Sequence, residues 1–179
     1  ASMEEMGKDH HTDFFASFDG PHKGANISIG MQNALKYFST SSLFSGASSL
    51  LSDLNRPAAK QLLIHHYLAK SESPKGAPGF RNRFQNKLNA LGFPKKTRNV
   101  AIVNGSALGV NTAEPSIDLI KAEANISIYD TDTWMKYTPG QERGLVFRFR
   151  EKYTRWFKTK DKKVYSFTPS NYGSLDNAP

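Results

Sequence analysis

The chain has 179 residues, of which 38% are hydrophobic and 12% aromatic, and it carries a formal net charge of +8. These values fit one globular core, or a core with a small appendage, and exclude a disordered or collagen-like chain. The absence of cysteine excludes disulfides, cysteine-based zinc sites and thiol nucleophiles. No apolar run is long enough to predict a transmembrane helix, and the first residues show no basic, then apolar, signal-peptide pattern. The compartment is left open.

Phe14, Phe15, Ala16, Ser17 and Phe18 form a short, almost wholly apolar run closed by Asp19-Gly20-Pro21. That is the pattern of a central strand buried on both faces and stopped by turn residues. Ile27, Ile29, Met31, Leu35 and Phe38 lead into a helix, and the Ser/Gly-rich residues 39–49 predict an irregular or lid-like stretch. Asn55 as a cap and Pro57 in the first turn open a second helix, with Ala59, Leu62, Leu63, His66 and Tyr67 at helical spacing. Residues 70–78, rich in Ser, Pro and Gly, end it.

A third helix places Phe80, Phe84, Leu88 and Leu91 on one stripe with Arg81, Arg83 and Lys87 off it, and Gly92 followed by Pro94 stops it. Residues 100–103 are a second continuous apolar run, closed by Asn104-Gly105-Ser106. Strand, helices and strand in that order predict a parallel sheet. From about residue 122 the period changes to two. Ala124, Ile126 and Ile128 alternate with polar neighbours, as do Leu145, Phe147 and Phe149 with Arg148 and Arg150. Residues 153–157 and 164–167 flank a lysine-rich stretch, which reads as a hairpin with a charged tip.

The fold expected is therefore α/β: a parallel sheet with flanking helices over residues 4–121, followed by an antiparallel β region over residues 122–179.

The segment Ser17-Phe18-Asp19-Gly20-Pro21-His22-Lys23-Gly24-Ala25-Asn26-Ile27 resembles the one that follows the nucleophile helix in lipase- and esterase-like α/β-hydrolases. Pro57 to Leu63 with His65-His66-Tyr67, Leu88 to Pro94 and Arg98 to Ser106 are similar to stretches of bacterial hydrolase-like proteins in that superfamily. The resemblance spans roughly residues 4–110. It implies a partial α/β-hydrolase-like sheet from a protein that cleaves an ester or related acyl bond without a cofactor. Such enzymes carry the serine on a Gly-x-Ser-x-Gly elbow, and place the triad histidine after the last core strand. The sequence has no such elbow, and no histidine follows His66. The resemblance thus implies an internal fragment, with residues 3–8 ending the helix after the elbow, and no turnover by the fragment alone.

Ser106 stands at a strand end, but Asn104 and Leu108 occupy positions where an elbow needs small residues. Asp118 falls where the acid of a triad can lie, although Ser116 and Ile117 beside it equally open a short helix. In the family, Asp19, His22 and Gly24 belong to a structural turn near the active site, with Asp19 and His22 bonding loop backbone. His22, just past a strand end, also suits a ligand crevice. His10, His11 and Asp13 read as solvated loop residues, with no metal site expected, and His66 as a packing residue at the core edge.

The alternative function is a binding module. Arg148, Arg150, Arg155, Lys158, Lys160, Lys162 and Lys163 interleave with aromatic residues in a pattern able to hold nucleic acid or another polyanion. Alternation weighs against it, since any half-buried strand places its aromatics inward and its cations outward. A partial sheet also predicts self-association through an exposed edge, with residues 14–18 or the second core strand near the contact.

Overall fold

The computed structural model describes residues 1–41, 44–69, 76–102, 114, 116–137 and 143–168. A four-residue helix, α1 (Ser2–Glu5), precedes strand β1 (Phe14–Phe18). Strand β1 pairs in parallel with β2 (Arg98–Ile102), Phe14 lying opposite Arg98 and Phe18 opposite Ile102. The parallel order expected from the sequence is present.

Burial on both faces is not. Phe14, Ala16 and Phe18 are exposed while Phe15 and Ser17 are half-buried, and in β2 only Val100 is half-buried. The described residues make a two-stranded sheet covered on one face, so a continuous apolar run leaves half its side chains in water.

Among the described residues, four helices lie between these strands. Helix α2 (Ile29–Phe38) starts at Ser28, whose Oγ accepts the Met31 N–H, the standard remedy for an orphan donor of the first turn. The stretch expected to be irregular runs into α3 (Ser45–Leu54), with Ala47 and Leu54 buried seven residues apart on one face. Its serine-rich composition conceals that stripe. Helix α4 (Pro57–Leu62) has the expected proline in its first turn, but its cap is Arg56 and it ends before Leu63. The Asn55 amide instead bonds the Leu51 carbonyl and the Tyr67 hydroxyl. His66 and Tyr67 therefore lie beyond the helix that their spacing predicts. Helix α5 (Arg81–Leu91) ends at Gly92, at φ 64°, where a residue without Cβ is favoured.

The remaining strands, β3 (Asp118–Ile126), β4 (Tyr129–Lys136), β5 (Leu145–Arg155) and β6 (Lys158–Phe167), form an antiparallel sheet in sequence order. Two details differ from expectation. Ile128 belongs to the β3–β4 turn. The lysines expected at a hairpin tip lie within β6, because the register Arg155 opposite Lys158 leaves Trp156 and Phe157 as the turn.

Helix α2 packs on this sheet. Ala34, Phe147 and Phe149 are buried together with Tyr37 and Phe38 around them, and Ile29 packs on Val146. A bulge near Leu145 lets consecutive residues Val146 and Phe147 both be buried. The helix backbone approaches closely at Gly30, where a Cβ would lie 2.5 Å from the Val146 carbonyl oxygen. The best-buried core is thus shared between a helix of the first part and the antiparallel sheet of the second.

Candidate functional site

The turn after β1 shapes one wall of a cleft. The Asp19 N–H donates to the Ile102 carbonyl at the end of β2, and the His22 N–H to the Gly20 carbonyl. The chain then folds His22 back over the strand. Its Nε2 lies 2.6 Å from Ser17 Oγ, and its ring meets Phe15 and Phe93 edge-on at centroid distances of 6.3 and 5.5 Å. Gly20 makes this possible, since a Cβ there would collide with Ser17 Oγ and stand 3.0 Å from His22 Nε2. The imidazole therefore bonds a strand side chain, where the family comparison implies loop backbone.

Ser17 and His22 have the contact of a nucleophile and its base. Among the described residues no carboxylate is seen on the other ring nitrogen, where an orienting third member would stand. The pair fixes the turn.

The second wall is α5. Along one face it presents Arg81, Gln85 and Leu88, with Phe93 after its end, across a cleft of about 800 Å³ from His22 and Lys23. Arg81 is nine-tenths buried. Its Nη1 donates to the Gln61 carbonyl and its Nη2 to the Lys23 carbonyl, so it staples the turn to the last turn of α4. Among the described residues no carboxylate pairs with it, and burial pulls its pKa below the ordinary value.

Two glycines make room for this side chain, one at its guanidinium and one at its stem. A Cβ on Gly24, at φ 113°, would meet Ile64 Cγ1 at 2.5 Å and Arg81 Nη2 at 2.8 Å. One on Gly76 would lie 2.6 Å from Arg81 Cβ. Leu88 and Phe93 supply an apolar surface, and His22, Lys23, Arg81 and Gln85 a polar end, the make-up of a small-molecule pocket.

No family model, curated protein or solved structure matches this chain.

The other candidates are dispersed. Asp118 opens β3 and forms an ion pair with Lys136 at 2.7 Å, in the antiparallel sheet. A strand, and no short helix, follows Ser116 and Ile117. Ser106 lies outside the described residues. His10 bonds Glu4 and His11 pairs with Asp9; among the described residues no three His, Asp or Glu side chains group as metal ligands. His66 is fully buried, with its Nε2 on the Leu54 carbonyl and its Nδ1 on the Leu68 N–H.

Several basic residues of the C-terminal sheet are occupied. Arg148 stacks on Trp134 at 3.5 Å, Arg150 chelates Asp161, Lys163 also pairs with Asp161, and Lys162 lies over the Tyr37 ring. Sequence reasoning passed over Arg81, which it placed off the apolar stripe of its helix. Nothing local marks it, because its partners are 20 and 58 residues away.

Proposed function

We propose that this chain carries the acyl-binding wall of a serine-hydrolase-like α/β domain, with β1 and β2 as neighbouring strands of its parallel sheet. The observation that carries the reading is the turn Pro21-His22-Lys23-Gly24, which leaves a parallel strand and forms one side of a cleft lined by apolar Leu88 and Phe93 and by cationic Lys23 and Arg81. In this reading Leu88 and Phe93 contact the acyl chain, His22 and Arg81 lie toward the polar group, and the attacking serine is supplied from outside these residues. The parent protein would cleave an ester or related acyl bond. No cofactor enters the scheme.

The test is a titration of the purified chain with a non-hydrolysable acyl phosphonate, followed by NMR. Saturable shifts at His22, Leu88 and Phe93 that vanish in a Leu88→Trp variant, which fills the cleft, are the expected result. Absence of binding, or binding unchanged by Leu88→Trp, would remove the assignment. Robust hydrolysis of a nitrophenyl ester by the chain alone would instead overturn the division of labour, placing nucleophile and base within it.

A further inference from the structure

Trp156 and Phe157 are 82% and 103% exposed at the tip of the β5–β6 hairpin, and both have positive φ, at 49° and 63°. A two-residue turn with both centres left-handed normally takes Asn-Gly, because side chains with Cβ, and bulky ones most of all, are disfavoured there. Here two bulky aromatic side chains occupy it and face water. A sequence that breaks its local rule without gaining burial points to a use for those side chains outside the fold.

The neighbouring turn also exposes apolar side chains. Ile126 and Ile128 flank Ser127 in the β3–β4 turn and are 69% and 66% exposed. The two turns are adjacent at the same end of the sheet, since the Thr154 N–H donates to the Ile128 carbonyl and Tyr129 stands opposite Tyr153. Four large apolar side chains thus project from one end of the sheet.

Cations stand just behind them. Arg155 and Lys158 border the Trp-Phe turn directly, and Lys160 follows over the Tyr153 ring. Residues 150–163 hold seven basic and two acidic side chains. The two acidic ones are already engaged, Asp161 by Arg150 and Lys163, and Glu151 by the Tyr129 hydroxyl.

We propose that this end of the sheet docks on an anionic lipid surface. Trp156, Phe157, Ile126 and Ile128 enter the headgroup–acyl boundary, while Arg155, Lys158 and Lys160 meet lipid phosphates. The layering of apolar tip and cationic collar matches the two layers of a membrane interface, and an amphipathic indole suits that depth. Single-stranded nucleic acid fits less well, because isoleucines have no π-face on which a base can stack. The inference is independent of the hydrolase reading.

Flotation with vesicles of phosphatidylcholine, alone or mixed with phosphatidylserine, tests it. The chain should float with the mixed vesicles, less with phosphatidylcholine alone, and less again in high salt. The decisive variant is W156N/F157G, which removes the apolar tip while installing the residues that the turn prefers, so its thermal midpoint should not fall. Its vesicle binding should weaken by at least about tenfold, from the apolar area no longer buried. In a Trp134→Phe background the remaining tryptophan emission should move to shorter wavelength on mixed vesicles. Failure of the wild-type chain to float, flotation of W156N/F157G equal to wild type, or tip-dependent binding of a single-stranded oligonucleotide without vesicle binding would each overturn the proposal.

Discussion

Arg81 reaches the Lys23 carbonyl through space that exists because residue 24 has no side chain. The contact joins the turn after β1 to the first residue of α5 and so sets the width of the cleft between them. It also holds a buried cation with neutral carbonyls, a costly arrangement that persists only where both carbonyls are well placed.

Gly24→Ala should therefore destabilise the chain by about 2–4 kcal/mol, from a strained φ together with the displaced guanidinium. Gly79 is the control. Its φ of 74° is also left-handed, but nothing lies within 4 Å of a Cβ built there, so Gly79→Ala should cost only about 1–2 kcal/mol of backbone strain. Urea midpoints of the two variants measure the difference. Equal losses would mean that the crowding around Gly24 relaxes at no cost.

Glu4 makes stability depend on pH at its own end of the molecule. Its carboxylate accepts the Lys95 and Lys96 N–H groups at 2.8 and 2.7 Å and bonds His10 at 3.1 Å. These bonds, Lys95 first, hold its pKa at about 2, against an ordinary 4.5. A carboxylate with a depressed folded pKa stabilises the fold above its unfolded pKa and loses that contribution as pH falls toward the folded one. Glu4→Gln should lower the urea midpoint near neutrality, and the gap from wild type should close between pH of about 4.5 and about 2. A gap constant across that range would mean that the ionised form is not what the two amides select.

Much of this architecture is legible in the sequence where spacing is local. The apolar run ending at Phe18, the Gly92 stop of α5 and the alternation of Phe147 and Phe149 each give their element directly. The misses share one cause, which is dependence on distant partners. Residues 14–18 read as doubly buried because an apolar run cannot report how many layers will cover it. The Lys158–Lys163 stretch reads as a tip because charge suggests a turn, whereas pairing of Arg155 with Lys158 decides the register. The cleft was half legible: the Pro-His-x-Gly turn draws attention to His22, while Arg81 joins it through contacts made only after folding.

The uncovered face of β1 has a consequence in solution. Phe14 and Phe18 are exposed, as is Ile102 opposite Phe18 in β2, and among the described residues this sheet has two strands, both of them at an edge. The purified chain should self-associate with rising concentration, and Phe18→Lys should shift it toward monomer in sedimentation velocity, with no loss of thermal stability. A wild-type chain that stays monomeric throughout would show that this face is too small or too polar at its rim to recruit a second copy.

His66 gives a second acid-sensitive window, separable from that of Glu4. Its Nε2–H donates to the Leu54 carbonyl at 3.1 Å, and its Nδ1 accepts the Leu68 N–H at 3.2 Å. Only the neutral imidazole protonated at Nε2 satisfies both, and burial pulls the pKa below 6.5. Above the unfolded pKa both states are neutral and the group adds no pH dependence. As pH falls below about 6.5 the unfolded chain takes up a proton that the folded chain refuses, so stability declines by at most about 1.4 kcal/mol per pH unit until the folded pKa is reached. Wild type should therefore begin to lose stability as pH falls below about 6.5, before Glu4 begins to contribute, while His66→Gln should start lower at neutrality and lose less as pH falls. Nitrogen NMR supplies the direct check. A His66 Nδ1 resonance that remains unprotonated through this range fits a buried neutral ring, whereas an ordinary titration there would mean that the Leu68 N–H bond opens readily enough for water to reach the ring.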